Sequence, residues 1–563
     1  MKTTKRNYIR LFAFLISIVV LSTCTLTYHE EDFVKFLDGF NLKYIPLNNQ
    51  IQLAEFNAAL TGNEADYQKA KELNIELTRL FSSKRDFKKL QKFREQLVVK
   101  NPLLKKQLLY LYNQFLFHQA DPNMMAEMVT ASNKLTKKFS VFRTELNSVF
   151  YSDNQVEEML KNTLSSEKLE QIWKASKAVG SDISEDLLAL VKMRNKAAQS
   201  LGFKNYFEMR LNLSGQEIAK LENIYEEFNL LTEGIYDDLK EEMDERLSVI
   251  YSVPKEQLMP WHYQDRFFQK APNIYNVDLD TFYRNKDLVS IAKKFYSGIG
   301  LDMSDIVSNS DLKERPGKAQ TGFSTDIDRK GDVRILANIG DDEYSMNTLL
   351  YEAGFALNLK YIDESLPYIL HEPSHFFTVD AVATLFSRFS SNPDWLKEVV
   401  GISDEEKERI STENKKYQLL SKVVFSRWAQ VMYHFEKRMY EDPDQNLSKL
   451  WWALVKKYQK LNKPKGWNNP DWATKNHIVT MPCSYHNYIL GELFAAQLHS
   501  YIKANFAGGE DCAIKCINNP EIGAYLIEKV FKPGKSMNWE ELIINATGED
   551  LNPDYFKNTC LNL

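Results

Sequence analysis

Between about residues 30 and 300 the chain repeats apolar side chains at three- and four-residue spacing, with little to interrupt it. The runs DYQKAKELNIELTRLFSS and SEKLEQIWKASKAVGSDISEDLLALVKMRNKAAQSLG carry this period, and LENIYEEFNLLTEGIYDDLKEEMDERL adds a charged opposite face. A stripe at that spacing is buried by packing helix on helix, and the charge runs read as solvated helix faces. Glycine (21) and proline (17) are too few in 563 residues to break such runs often. The expectation is a mainly α protein. No low-complexity linker offers a cut, so residues 24–563 read as one body. It has a helical part over about 30–300 and a second part over about 301–563.

One stretch carries a clear β signal. In GFSTDIDRKGDVRILANI, residues 322–339, two strand-like runs flank Arg329-Lys330-Gly331, a short turn carrying glycine, and predict a hairpin. Asp341-Asp342-Glu343 follows, then the apolar-periodic SMNTLLYEAGFALNLKYI; from about residue 376 the pattern is helical again. The aromatic-dense MPWHYQDRFF reads as core packing. Lys, Arg, Asp and Glu are mixed along the chain, with net charge −5 and no basic stripe, which argues against a nucleic-acid partner.

The first residues belong to targeting. MKTTKRNYIR is basic, LFAFLISIVVLSTC is apolar and ends at Cys24, and the run is too short for a membrane span. Residues 1–23 read as a signal peptide. The end of the run resembles a bacterial lipobox, with Cys24 as the lipidated mature N-terminus. That predicts export to a bacterial cell envelope, with a lipid anchor as the only membrane contact. Export permits disulfides among Cys483, Cys512, Cys516 and Cys560; a 512–516 or a 512–560 bridge is open, and no Cys-x-x-Cys pair suggests a zinc ribbon.

Two segments bear on metal chemistry. HEPSH, His371 to His375, fits the pattern His-Glu-x-x-His letter for letter. Pro373 excludes Glu372 from the α region, however, so His371 and His375 cannot share a helix face. They read as loop histidines. Earlier, TLLYEAGFALNLKYI has the frame of a zinc-peptidase helix without its histidines. Tyr351 and Phe355 hold the positions four apart, Glu352 stands where a general base would, and Gly354 is also in frame.

ERPGKAQTGFSTDIDRKGDVRILANI, TLLYEAGFALNLKYI and HEPSHFFTVDAVATLF together resemble the catalytic region of the angiotensin-converting-enzyme-like peptidyl-dipeptidases. These are gluzincin metallopeptidases, similar in fold to the thimet-oligopeptidase group. The resemblance implies a two-lobed helical body with a deep groove and a small sheet beside the site. It also implies zinc as the family's cofactor, with the ligand positions falling on Tyr351, Phe355 and Asp380 and the base on Glu352. KNHIVTMPCSYHNYILGELFAAQLH resembles the family's late segment. By that resemblance Lys475 and Tyr485 fall where the family grips a peptide's C-terminal carboxylate, His477 where it touches peptide backbone, and Tyr488 where it steadies an oxyanion. The relatives carry the Glu-Pro-x-His element as a structural turn.

The replacements are costly for zinc. Phenylalanine cannot ligate, tyrosine ligates only as a phenolate with a free pKa near ~10, and aspartate is shorter than glutamate by about 1.5 Å. Four-ligand zinc sites are worth roughly 10–16 kcal/mol, so two lost histidines forfeit roughly 6 kcal/mol, about four decades of affinity. The expectation is therefore an exported pseudo-metallopeptidase without a cofactor, whose partners are peptides or a protein. The alternatives are an active peptidase with a non-standard metal site and a non-enzymatic scaffold for a protein partner.

Overall fold

The computed structural model describes residues 30–96, 99–510 and 512–561. The signal-peptide and Cys24 readings lie outside these residues. Among the described residues no helix is long and apolar enough to cross a membrane.

The described residues are 70% helical. Helix α1, Glu30–Thr61, runs through Pro46 and buries Phe33, Leu37, Phe40, Tyr44, Leu47 and Ile51, a single face at alternating four- and three-residue steps. It packs with α2 (Glu64–Phe81), α3 (Lys84–Gln96) and α4 (Pro102–Phe117) around a small aromatic core of Phe33, Phe40, Phe81, Phe93 and Phe115. Ile369 and Leu370, some 250 residues later, complete that core. Helix α4 starts where Asn101 accepts the N–H groups of Leu103 and Leu104 and Pro102 takes the first turn.

A second, larger core runs from Ala120 to Phe556 and crosses residue 300, joining the two parts distinguished in sequence. Its long members are α5 (Ile218–Tyr251) and α8 (Asp404–Glu441), the latter begun by a capping box of Ser403 and Glu406. Arg427 of α8 is 2% exposed and donates from Nη1 to Oδ1 of Asn229 at 2.8 Å, tying the two helices. MPWHYQDRFF is core as expected, with Trp261, His262 and Tyr263 buried. Cys483 is a buried free thiol, and Cys516 is disulfide-bonded.

Among the described residues two small antiparallel strand pairs are present where the sequence singled out one. The expected hairpin is β3 (Phe323–Asp326) with β4 (Val333–Leu336), in the register Ser324 opposite Ile335. Arg329 and Gly331 take φ of 56° and 106° in its turn. The other pair, β1 (Thr144–Leu146) with β2 (Val149–Tyr151), has three-residue strands, too short to show an alternating pattern. Its turn holds Asn147 and Ser148 at φ 52° and 63°.

Directly after β4, Asp342 caps α6 (Glu343–Lys360) by accepting the N–H of Ser345 at 2.7 Å. Helix α6 lies against α7 (Phe376–Ser387), which lies against α9 (His486–Phe506). Glycines permit both approaches. A Cβ on Gly354 would stand 3.1 Å from the Phe386 ring and 3.2 Å from Cα of Ala383; one on Gly491 would stand 2.2 Å from Oδ2 of Asp380. Gly39, on the exposed face of α1, would meet nothing within 4 Å. Gly354→Val should therefore destabilise by about 1–3 kcal/mol through overpacking. Gly39→Ala should stabilise by about 0.5–1 kcal/mol through helix propensity. Urea midpoints at unchanged m-value test both.

Candidate active site

Helices α6 and α7 bring together Tyr351 and Asp380, two of the positions singled out in sequence as vestigial ligands. Tyr351 donates its hydroxyl to Oδ1 of Asp380 in a short hydrogen bond. The shortened carboxylate thus reaches across to α6, and meets a phenol. Asp380 is 3% exposed, and burial pushes its carboxyl up to about 7, with Glu492 adding repulsion and the Tyr351 hydrogen bond opposing it. Burial and the neighbouring Asp380 carboxyl raise the Tyr351 phenol far above its ordinary value, so it stays protonated and acts as the donor.

Glu352, 7% exposed, points to the hairpin. Ser324 of β3 donates to its Oε2 at 2.6 Å and approaches its backbone carbonyl at 2.9 Å. Burial lifts this carboxyl to about 7 as well, against the Ser324 hydrogen bond. Phe355 lines a cavity of about 810 Å³ together with Phe376, Val379, Ser324 and Asp326.

HEPSH forms a turn entering α7. His371 follows a short helical turn, Tyr368–Leu370, and His375 is the N-cap of α7, accepting the N–H of Phe377. Neither histidine lies within the helix. Glu372 is clamped between Arg329 of the hairpin turn and Lys535. Against the desolvation of its half-buried carboxyl, those two cations hold it down at about 2.

The late segment forms a second cluster. Lys475, 7% exposed, donates to Oε1 of Gln269 at 2.6 Å, and its ammonium sits over the rings of Phe267, Trp428 and Tyr485 at 5.0, 5.5 and 5.8 Å. Burial lowers Lys475 to about 8. Tyr485 accepts the indole N–H of Trp428 at 2.7 Å. His477 packs on Tyr485 with ring centroids 5.3 Å apart, and Tyr485 on Tyr488 at 5.2 Å. Burial depresses the His477 imidazole to about 4. Phe376 meets Tyr488 at 6.4 Å and so joins this cluster to the cavity.

Of the residues singled out in sequence, Tyr351 and Asp380 pair directly, Lys475, His477, Tyr485 and Tyr488 cluster, and Glu352 and Phe355 point instead to the hairpin and into the cavity. Gln269, Trp428, Phe267 and Ser324 were missed. Gln269 directly follows an aromatic stretch assigned to packing, and its link to Lys475 spans 206 residues.

The sequence matches the family of peptidase M2, angiotensin-converting enzyme, over residues 27–554, nearly the whole chain. The chain belongs to that family of metallopeptidases, whose members depend on zinc. The residues present here do not fit that ion. Phe355 has no donor atom, and Tyr351 is a protonated phenol already committed to Asp380. Among the described residues no three His, Cys, Asp or Glu side chains converge as a ligand set.

The two raised carboxyls have a thermodynamic consequence. Their folded values, about 7, lie above the ordinary unfolded carboxylate range. Their stabilising contribution is complete below the unfolded values and is lost as pH rises through about 7. Wild-type stability should fall between pH 5 and 8 relative to a Glu352→Gln/Asp380→Asn double variant, by about 1–3 kcal/mol. Denaturant titrations of both proteins across that range measure the difference.

Proposed function

We propose that this protein is an exported, non-hydrolytic member of the angiotensin-converting-enzyme family that retains a peptide-binding groove. The observation that carries this is the contrast between the two groups. The positions of the metal ligands hold Tyr351 bonded to Asp380, with Phe355 alongside. The Lys475, Gln269 and Tyr485 group keeps a buried cation beside polar partners.

In this reading Glu352 and Tyr488 are remnants of the base and the oxyanion donor. Lys475 receives the peptide's terminal carboxylate with Tyr485 alongside, and His477 meets its backbone. Lys475 is partly desolvated by its aromatic walls, and an incoming carboxylate offsets that cost with a charge-assisted hydrogen bond. β3 offers its backbone for pairing with an extended peptide.

Such a carboxylate contact is worth roughly 1.5–3 kcal/mol, so Lys475→Ala should weaken binding about 10- to 150-fold. Amidating the peptide should do the same, and the two losses should not add. Calorimetry with free acids against amides decides it; equal affinity for both would overturn the carboxylate role. Elemental analysis should find zinc well below one per chain, and one tightly bound zinc with peptide hydrolysis would overturn the non-hydrolytic reading.

Export and lipidation at Cys24 complete the proposal. Mass spectrometry of the mature N-terminus should find acyl chains on Cys24, and a different terminus without them would remove the anchor.

A further inference from the structure

The cavity beside Phe355 contains an arrangement that carboxylate binding does not use. Asp326 ends β3 and lines the cavity; its Oδ1 accepts the backbone N–H of Arg329 at 2.8 Å, closing the hairpin turn. Its Oδ2 lies 3.9 Å from Nδ1 of His371, too far for a hydrogen bond. His371 also lines the cavity, is 5% exposed, and has no partner at Nδ1. Its Nε2 stands 3.3 Å from the carbonyl oxygen of Ile362, so Nε2 carries the hydrogen and Nδ1 is an acceptor. Burial keeps this imidazole neutral by lowering its pKa.

Two acceptors therefore face each other across a gap, one of them buried and without a donor. Such groups are costly to leave unmatched. Nearby cations do not supply the match. Arg329 and Lys535 are both engaged by Glu372, and Arg329 also donates to the Tyr368 carbonyl. Lys106 is paired with Glu541, and Arg210 lies over the Phe117 ring. A compact group with several N–H donors and a positive charge, seated in the cavity beside the pair, matches both acceptors.

We infer that Asp326 and His371 receive the free α-ammonium group of a bound peptide, so that the preferred ligand is a short peptide with both ends free. This rests on the peptide-binding reading above and extends it to the other terminus. The two ends are neighbours: Phe376 lines the cavity and meets Tyr488, Tyr488 meets Tyr485, and the Lys475 ammonium sits over the Tyr485 ring. Phe355, Val379 and Phe376 in the cavity lining suit an apolar side chain.

The test is calorimetry of the full mature chain with one tetrapeptide of alanine and phenylalanine in four forms: both ends free, N-acetylated, C-amidated and doubly blocked. N-acetylation should weaken wild-type binding by about ten-fold or more. In Asp326→Asn, which keeps Oδ1 for the Arg329 N–H, the free and acetylated forms should bind within about two-fold of each other. An unchanged Tm shows that the variant is folded, and the wild-type comparison stands without it. If acetylation costs nothing while amidation does, the ammonium site is wrong and the carboxylate site survives. The reverse pattern overturns the carboxylate reading and leaves this one. An equal acetylation penalty in wild type and Asp326→Asn overturns the assignment to Asp326. Failure of every form to bind overturns both.

Discussion

Asp380 is a carboxyl group buried between three helices, and the Tyr351 hydroxyl is the donor that makes its burial tolerable. Helix α7 approaches α9 so closely that Gly491 has no room for a Cβ, and α6 approaches α7 on the other side through Gly354. In so closely packed a layer, an unmatched carboxylate would cost several kcal/mol. The phenol supplies one hydrogen bond, and the carboxyl's raised proton affinity meets much of the remaining cost. The hydrogen bond that satisfies Asp380 within the helix sandwich thus also commits the Tyr351 hydroxyl.

Glu372, near the same helices, is handled in the opposite way to Asp380 and Glu352. It is half-buried and ionised because Arg329 and Lys535 converge on it. That clamp ties the hairpin turn to the segment leading into α7. It explains why a stretch spelling a zinc motif is a turn instead: Pro373 bars the helix, Glu372 is spent on two cations, and His375 caps the helix that follows.

Much of this was legible in the sequence, for identifiable reasons. Helices such as α1 declare themselves because Phe33, Leu37, Phe40 and Tyr44 repeat along one face. The frame around Glu352 and the spacing of Tyr485 and Tyr488 are local, so they can be read from neighbours. What escaped is long-range or short. Gln269 reaches Lys475 across 206 residues, and Trp428 reaches Tyr485 across 57. The strands at 144–151 are too brief to carry a period. The pairing of Asp326 with His371 depends on where a hairpin and a turn come to rest, which no spacing rule encodes.

The small aromatic core of α1 to α4 is closed by Ile369 and Leu370. A chain that emerges N-terminus first presents Phe33, Phe40, Phe81 and Phe115 long before that last wall exists. Those helices can form locally, but their shared core stays open on one side until residue 370 has been delivered. Completion of the N-terminal part is thus a late event in folding, set by a contact spanning more than half the chain and carrying the loop-closure cost of such a contact. Through that interval the exposed phenylalanines are the surface most in need of protection from association.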